Sequence, residues 1–235
     1  MWWSILFVLI IIFLIYCLLP SYWARNHSKK VLRKGATQKK EIALTFDDGP
    51  NPNYTPRLLD ILKEHQVPAS FFIMGRQAQR YPDIVKRIND EGHTLGLHSY
   101  CHRHAWLMSP IATIRDMNQT YNVLKDMLGK APNWYRPPWG TFNLVSMFAA
   151  KRLNLKIAYW SIEAQDWAKV TTVEHIYNTV ISKIHPGAII VLHDNQGAPG
   201  APERTLKALP TIIETLKGQG FRFVSLDELK GERHA

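Results

Sequence analysis

Thr45-Phe46-Asp47-Asp48-Gly49-Pro50 places two adjacent carboxylates where an apolar run stops and a turn begins. The run before it, Ile42-Ala43-Leu44-Thr45-Phe46, reads as a short buried strand, and Gly49-Pro50-Asn51-Pro52 carries strong turn chemistry. Asp47 and Asp48 are therefore expected at the C-terminal end of a strand. Two readings of the pair stand side by side. Either one aspartate closes an Asx-turn while the other is solvated, or the two divide labour, one binding a metal ion and the other acting as a base whose charge that ion maintains. Partners elsewhere in the chain decide between them.

Outward from this stretch, short β-rich runs alternate with longer helical periods. Strands are expected at 42–46, 69–74, 94–98, 134–136, 156–161, 188–193 and 222–225, and helices at 55–65, 81–91, 110–128, 143–153, 173–184 and 204–219. That alternation predicts an α/β fold with a parallel sheet and crossover helices, doubly wound or closed into a barrel. Asp47 with Asp48, His98 with His102, Arg136, Glu163 with Asp166, and His193 with Asp194 each fall at or just past a strand's C-terminal end. In a barrel those ends share one face, where active sites are assembled, so the polar residues favour the barrel.

His98-Ser99-Tyr100-Cys101-His102 sets two imidazoles four residues apart, within reach of one ion from a helical turn or a tight loop. Joined by Asp48 they offer two nitrogens and a carboxylate oxygen. Three protein ligands with an open position is the catalytic pattern for zinc, and the same set accepts other divalent ions. Cys101, between the two histidines, reads as packing rather than ligation. Arg136-Pro137-Pro138-Trp139-Gly140 holds a guanidinium on a rigid backbone, where it either clamps Asp47 and keeps it ionised or faces solvent. Ile189-Ile190-Val191-Leu192-His193-Asp194 ends an apolar strand with an imidazole: a satisfied core histidine, or the acid that protonates a leaving amine.

In order and wording these motifs resemble the polysaccharide deacetylases with a NodB homology domain, carbohydrate esterase family 4. The resemblance covers residues 41 to about 229 in five blocks: TFDDGP at 45–50, H-S-x-x-H at 98–102, R-P-P-x-G at 136–140, the Asp166-Trp167 pair, and the strand ending in His193. It implies a distorted (β/α) barrel that removes N-acetyl groups from amino-sugar glycans of the cell envelope, peptidoglycan or a related polysaccharide. It further implies Asp48, His98 and His102 as metal ligands, Asp47 as general base, His193 as general acid, Arg136 orienting Asp47, and the Trp139 amide holding the oxyanion. Glu163 and Asp166 are expected beside the acid, and Pro138, Trp139, Trp167 and Leu192 against the sugar. The chain departs from the family in three places. Glu163 stands where many members carry Asp, Val191 where leucine is frequent, and Trp139 where tyrosine is more usual; with Trp160 and Trp167 the last suggests an aromatic wall.

The 46% hydrophobic and 11% aromatic composition is that of a globular chain, long enough for one well-buried core. Ahead of the barrel, residues 2–19 form an uncharged apolar run with aromatic ends (Trp2, Trp3, Tyr16, Tyr22, Trp23), expected to be a single uncleaved membrane anchor. Residues 20–40 hold Arg25, Lys29, Lys30, Arg33, Lys34, Lys39 and Lys40 with no acid, seven of the ten net positive charges. The rest of the chain is close to neutral. This is a basic juxtamembrane linker and not a nucleic-acid surface, which sets domain boundaries at 1–19, 20–40 and 41–235. The positive-inside rule argues for a cytoplasmic domain, whereas the resemblance implies an external one. We expect the external face, with the linker against anionic envelope polymer. The alternatives are a cytoplasm-facing deacetylase of a lipid-linked amino sugar and a non-catalytic glycan-binding protein on the same fold. Cys17 and Cys101 offer no disulfide framework within the domain.

Overall fold

The computed structural model describes residues 2–36 and 38–229. Nine strands, β1 (Val31–Leu32), β2 (Glu41–Asp47), β3 (Ala69–Ile73), β4 (Thr94–Leu97), β5 (Trp134–Tyr135), β6 (Lys156–Ala158), β7 (Ile162–Glu163), β8 (Ile189–His193) and β9 (Arg222–Phe223), form one sheet. Its order is β1-β6-β5-β4-β3-β2-β8-β7, with β9 beside β2, and every pair is parallel. The sheet curls into a distorted barrel that is open between β1 and β7. The predicted strand at 156–161 is shorter than expected: β6 ends at Ala158, and β7, which begins beyond the expected strand at Ile162, pairs with β8 at the other edge of the opening.

β2 shows how the chain sorts its side chains. Alternate residues of a strand face opposite sides. Ile42, Leu44 and Phe46 enter the large core beneath the helices, whereas Ala43 joins the smaller core inside the barrel with Phe72, Trp134 and Ile189. Thr45 and Asp47 share the parity of Ala43 and face inward. Leu226 and Leu229 of a terminal helical turn (Leu226–Leu229) pack in that same inner core.

The covering helices begin and end where local chemistry directs. The helix Pro110–Leu128 starts behind Ser109, whose Oγ accepts from the Ala112 amide, has proline in its first turn, and stops at Gly129 in the left-handed region (φ 66°). The helix Leu144–Arg152 opens on a capping box in which the Asn143 and Ser146 side chains accept from each other's amides. The last long helix begins at Ala201 rather than 204, with Pro202 in its first turn.

The apolar N-terminal run is one continuous helix: Trp2–Phe13 is regular, Leu14–Leu18 widens into a π segment, and Leu19–Asn26 is regular again. It is long and apolar enough to cross a membrane, a property that a signal sequence shares. Its outer half touches nothing, but from Phe13 it lies on the barrel. Phe13 meets the edge of Trp106, the Tyr16 hydroxyl donates to the Met108 carbonyl (3.0 Å), and Ser21 is buried against Phe142. The basic stretch that follows is structured in part. β1 pairs with β6, and the Arg33 guanidinium donates to the Ala24 carbonyl at the helix end (2.8 Å).

Candidate active site at the strand ends

The C-terminal ends of the strands, and the turns just past them, deliver Asp47, Asp48, His98, His102, Glu163 and His193 to one cleft of about 390 Å³. β2 and β8 run in a register that sets Asp47 opposite His193. Asp48 follows at once in a left-handed conformation (φ 76°), which turns its carboxylate toward the His98 loop. The two histidines lie on a loop and not on a helix; the Ser99 hydroxyl closes it by accepting from the His102 amide (2.8 Å). Ser99 (φ 80°), His102 (φ 54°) and Trp139 (φ 52°) are likewise left-handed. Such backbone is costly for non-glycine residues, and here it gathers around one site.

Asp48 Oδ1 lies 2.9 Å from His102 Nε2 and 3.3 Å from His98 Nε2. The three donor atoms are all within 4.8 Å of one another. His98 Nδ1–H donates to the Arg136 carbonyl (2.9 Å), which leaves the Nε2 lone pair facing the carboxylate. Asp48 Oδ1 is buried and accepts no well-formed hydrogen bond. Three ligand atoms converging within 4.8 Å of one another on strained backbone fit a divalent cation, and this donor set is of the kind that binds one. Burial works against ionisation of Asp48, but His102 and His98 outweigh it and hold the carboxyl well below the usual range.

Asp47 is held separately. Arg136, wholly buried, donates from Nη1 to Asp47 Oδ1 (2.7 Å) and to Thr45 Oγ1 (2.7 Å), and from Nη2 to the Tyr159 carbonyl (2.9 Å). Thr45 passes its own proton to the Ile190 carbonyl (2.8 Å). The guanidinium lies 4.1 Å over the Phe72 ring, with Trp160 on another side (5.6 Å). A buried guanidinium fixed by this many partners neutralises Asp47 and orients one oxygen, leaving the other, Oδ2, 3.9 Å from His98 Nε2.

Across the cleft, His193 Nδ1 meets Asp166 Oδ1 at 2.8 Å, while Asp166 Oδ2 accepts from the His193 amide (2.8 Å) and the Thr205 hydroxyl (2.7 Å). Burial alone would push the imidazole down. Asp166, with Asp48 and Asp47 behind it, outweighs burial and pushes it up to about 10. Asp166 is the largest of the charges that favour the protonated imidazole. The sign follows: activity that needs the imidazolium persists through neutral pH and falls as pH rises through the folded pKa. Asp166→Asn is expected to move the alkaline limb of the kcat profile down by at least one unit, toward the ordinary histidine value of about 6.5. An unmoved limb would detach Asp166 from the acid.

Three expectations need correction. Glu163, expected beside the acid, instead accepts from the Trp160 (3.3 Å) and Trp167 (3.4 Å) indole N–H groups, and the pairing falls to Asp166. Leu192 is fully buried in the outer core, because strand alternation turns Val191 and His193, and not Leu192, toward the cleft. Pro138 is buried behind the cleft rather than lining it. Trp139, Trp160 and Trp167 do line it, Trp139 half exposed and 4.1 Å from the His102 ring. Sequence reading missed Thr45, whose position inside TFDDGP was the available signal. It also missed Asn195, which donates to the Asp48 carbonyl (3.0 Å). Asp194 is packed beneath Gly49 and hydrogen-bonded by Thr55, and burial pushes its carboxyl up to about 7.

An all-parallel open barrel with an Asp-His-His ligand set at its strand ends defines a metal-dependent hydrolase of the polysaccharide deacetylase type. The family model for polysaccharide deacetylases matches residues 34–158. A peptidoglycan-N-acetylglucosamine deacetylase of Bacillus cereus is 38% identical over 89% of this chain and 74% of its own length. The peptidoglycan-N-acetylmuramic acid deacetylase of Bacillus subtilis is 34% identical over 85% and 74%. The crystal structure of a peptidoglycan N-acetylglucosamine deacetylase superimposes with a TM-score of 0.81 at 35% identity, covering 88% of this chain and 94% of that one. The chain belongs to the polysaccharide deacetylase family, carbon–nitrogen hydrolases that depend on a metal ion.

Proposed function

We propose that this chain is a membrane-anchored N-deacetylase of a cell-envelope amino-sugar glycan, with peptidoglycan as the substrate class. The observation that carries the reading is the division of three functions across one cleft: an Asp48-His98-His102 ligand set, an arginine-clamped carboxylate, and a histidine held protonated by a second carboxylate. The residues at hand suit zinc best among divalent ions. When bound, the ion polarises the acetamide carbonyl and lowers the pKa of the attacking water.

The chain's own residues do the rest. Asp47, oriented by Arg136, takes the proton of the water as its oxygen adds to the carbonyl carbon. The amide of Trp139, on its strained turn, donates to the oxyanion. His193 gives its Nε2 proton to the sugar nitrogen as the carbon–nitrogen bond breaks, releasing acetate and a free amine. Trp139, Trp160 and Trp167 offer apolar faces to the sugar, two of them braced by Glu163.

Residues 1–19 serve as the anchor and 41–235 as the catalytic domain, with the basic stretch 20–40 between them set against anionic envelope polymer. The catalytic domain faces outward. A second reading, a cytoplasm-facing enzyme acting on a lipid-linked amino sugar, is favoured by the basic flank after the apolar run. Mass analysis of amino sugars in wall and lipid fractions, from cells with and without the chain, separates the two. We expect de-N-acetylated glucosamine or muramic acid in the wall fraction only when the chain is present. Its confinement to the lipid fraction would select the second reading, and no difference in either would overturn both.

A further inference from the structure

The cleft has a wall that the barrel does not supply. Arg25, on the last turn of the N-terminal helix, lines it together with the catalytic residues. Its Nε donates to the Gly140 carbonyl (3.1 Å) and its Nη2 to the Trp139 carbonyl (3.0 Å), and its guanidinium lies 5.4 Å over the Tyr159 ring. One turn earlier on the same helix face, the buried Ser21 hydroxyl donates to the Phe142 carbonyl (2.7 Å) and accepts from the Phe142 amide (2.9 Å) and the Trp106 indole (3.0 Å). Two side chains spaced i, i+4 thus hold three residues of one loop, 139, 140 and 142.

That loop needs holding. Trp139 and Gly140 are consecutive left-handed residues (φ 52° and 59°), a conformation natural to the glycine but disfavoured for the side chain of Trp139. The turn's own bonds are Gly140 N–H to the Pro137 carbonyl (3.0 Å) and Thr141 N–H to the Pro138 carbonyl (3.1 Å). They leave the Trp139 and Gly140 carbonyls to Arg25. A carbonyl pinned by a charged fork fixes the plane of its peptide, and through it the direction of the neighbouring amides.

We propose that Arg25, seconded by Ser21, is a positioning residue for catalysis: the juxtamembrane helix clamps the loop whose Trp139 amide meets the oxyanion. The inference rests on the deacetylase reading above for its catalytic half and on the loop geometry alone for its structural half. Arg25 is exposed, so its loss leaves no buried hole and the fold survives the substitution.

The test uses the full chain in detergent micelles as wild type, Arg25→Ala and Arg25→Lys. Amide hydrogen exchange is read over 139–142, metal content is read by elemental analysis, and kcat and KM are measured on an N-acetylglucosamine oligomer. In Arg25→Ala, exchange at Gly140 and Thr141 rises about tenfold with β2 and β8 unchanged, as a local opening does. Its kcat falls about tenfold, less than the loss of an oxyanion donor itself, with KM within about twofold and metal content unchanged. Lysine, which restores the charge but not the fork, recovers part of both. Unchanged exchange at 139–142 overturns the clamp whatever the activity. Raised exchange with unchanged kcat overturns its catalytic role. A wild type that releases no acetate overturns the deacetylase reading, while the exchange data still decide the clamp.

Discussion

Asp47→Asn is expected to lower turnover by a factor on the order of 10² to 10⁴, the usual worth of a general base, while the divalent ion stays bound. The two neighbouring acids differ in what holds them. Asp48 faces two imidazole nitrogens, whereas Asp47 accepts from Arg136 at 2.7 Å and stands no closer than 3.9 Å to the His98 nitrogen. An asparagine keeps the shape of the side chain and the Arg136 contact through its carbonyl oxygen but cannot take a proton. Turnover and metal content measured on the same preparation decide the matter. A variant that loses the ion would make Asp47 a ligand, and one that keeps full turnover would leave the water without its base here.

His102→Ala is expected to empty the metal site. Removing groups that merely orient a metal ligand costs roughly 10 to 100-fold in affinity, so removing a ligand outright costs more than about 100-fold. His102 is one of three donors and, among the described residues, no other histidine, cysteine or acid completes the set. The Asp48 carboxylate would keep only His98 at 3.3 Å. Titration calorimetry with zinc, backed by elemental analysis after dialysis, reads this directly. Equal metal content in variant and parent would remove His102 from the ligand set.

Strand β2 was legible because its apolar run and the Gly49-Pro50 turn signal bracket it, and the helix at 110–128 because Ser109 and Gly129 mark both ends. What escaped was short or non-local. β1 and β7 have two residues each and, unlike β5 and β9 of the same length, lie in no longer β-rich run; they form because neighbouring strands offer free edges. The ligands, the base, Arg136 and the acid were carried by motifs. Leu192 was misplaced because a motif says that a residue is near the site and not which face of the strand it occupies. Glu163 was misassigned because sequence shows an acid near a histidine, whereas the pairing depends on how Thr205 and the His193 amide fix Asp166 instead. Arg25 read as one positive charge among seven; only the path of the helix over the barrel gives it partners.

That path also constrains the crossing. A bilayer's hydrocarbon core is about 30 Å thick, which an upright helix crosses in about 20 residues. Begun at Trp2, the crossing ends near the exposed Tyr22 and Trp23, rings of the kind that settle at headgroup depth, and Arg25 lies about one turn further on. The barrel touches the helix from Phe13 onward, so only residues 2–12, about 16 Å of helix at 1.5 Å per residue, are free of it, and residues 13–21 cannot face lipid all round while the barrel stays packed against them. On the proposed anchoring, full insertion of the helix therefore competes with its packing on the barrel, and with the Ser21 and Arg25 contacts that reach the loop at the mouth of the cleft.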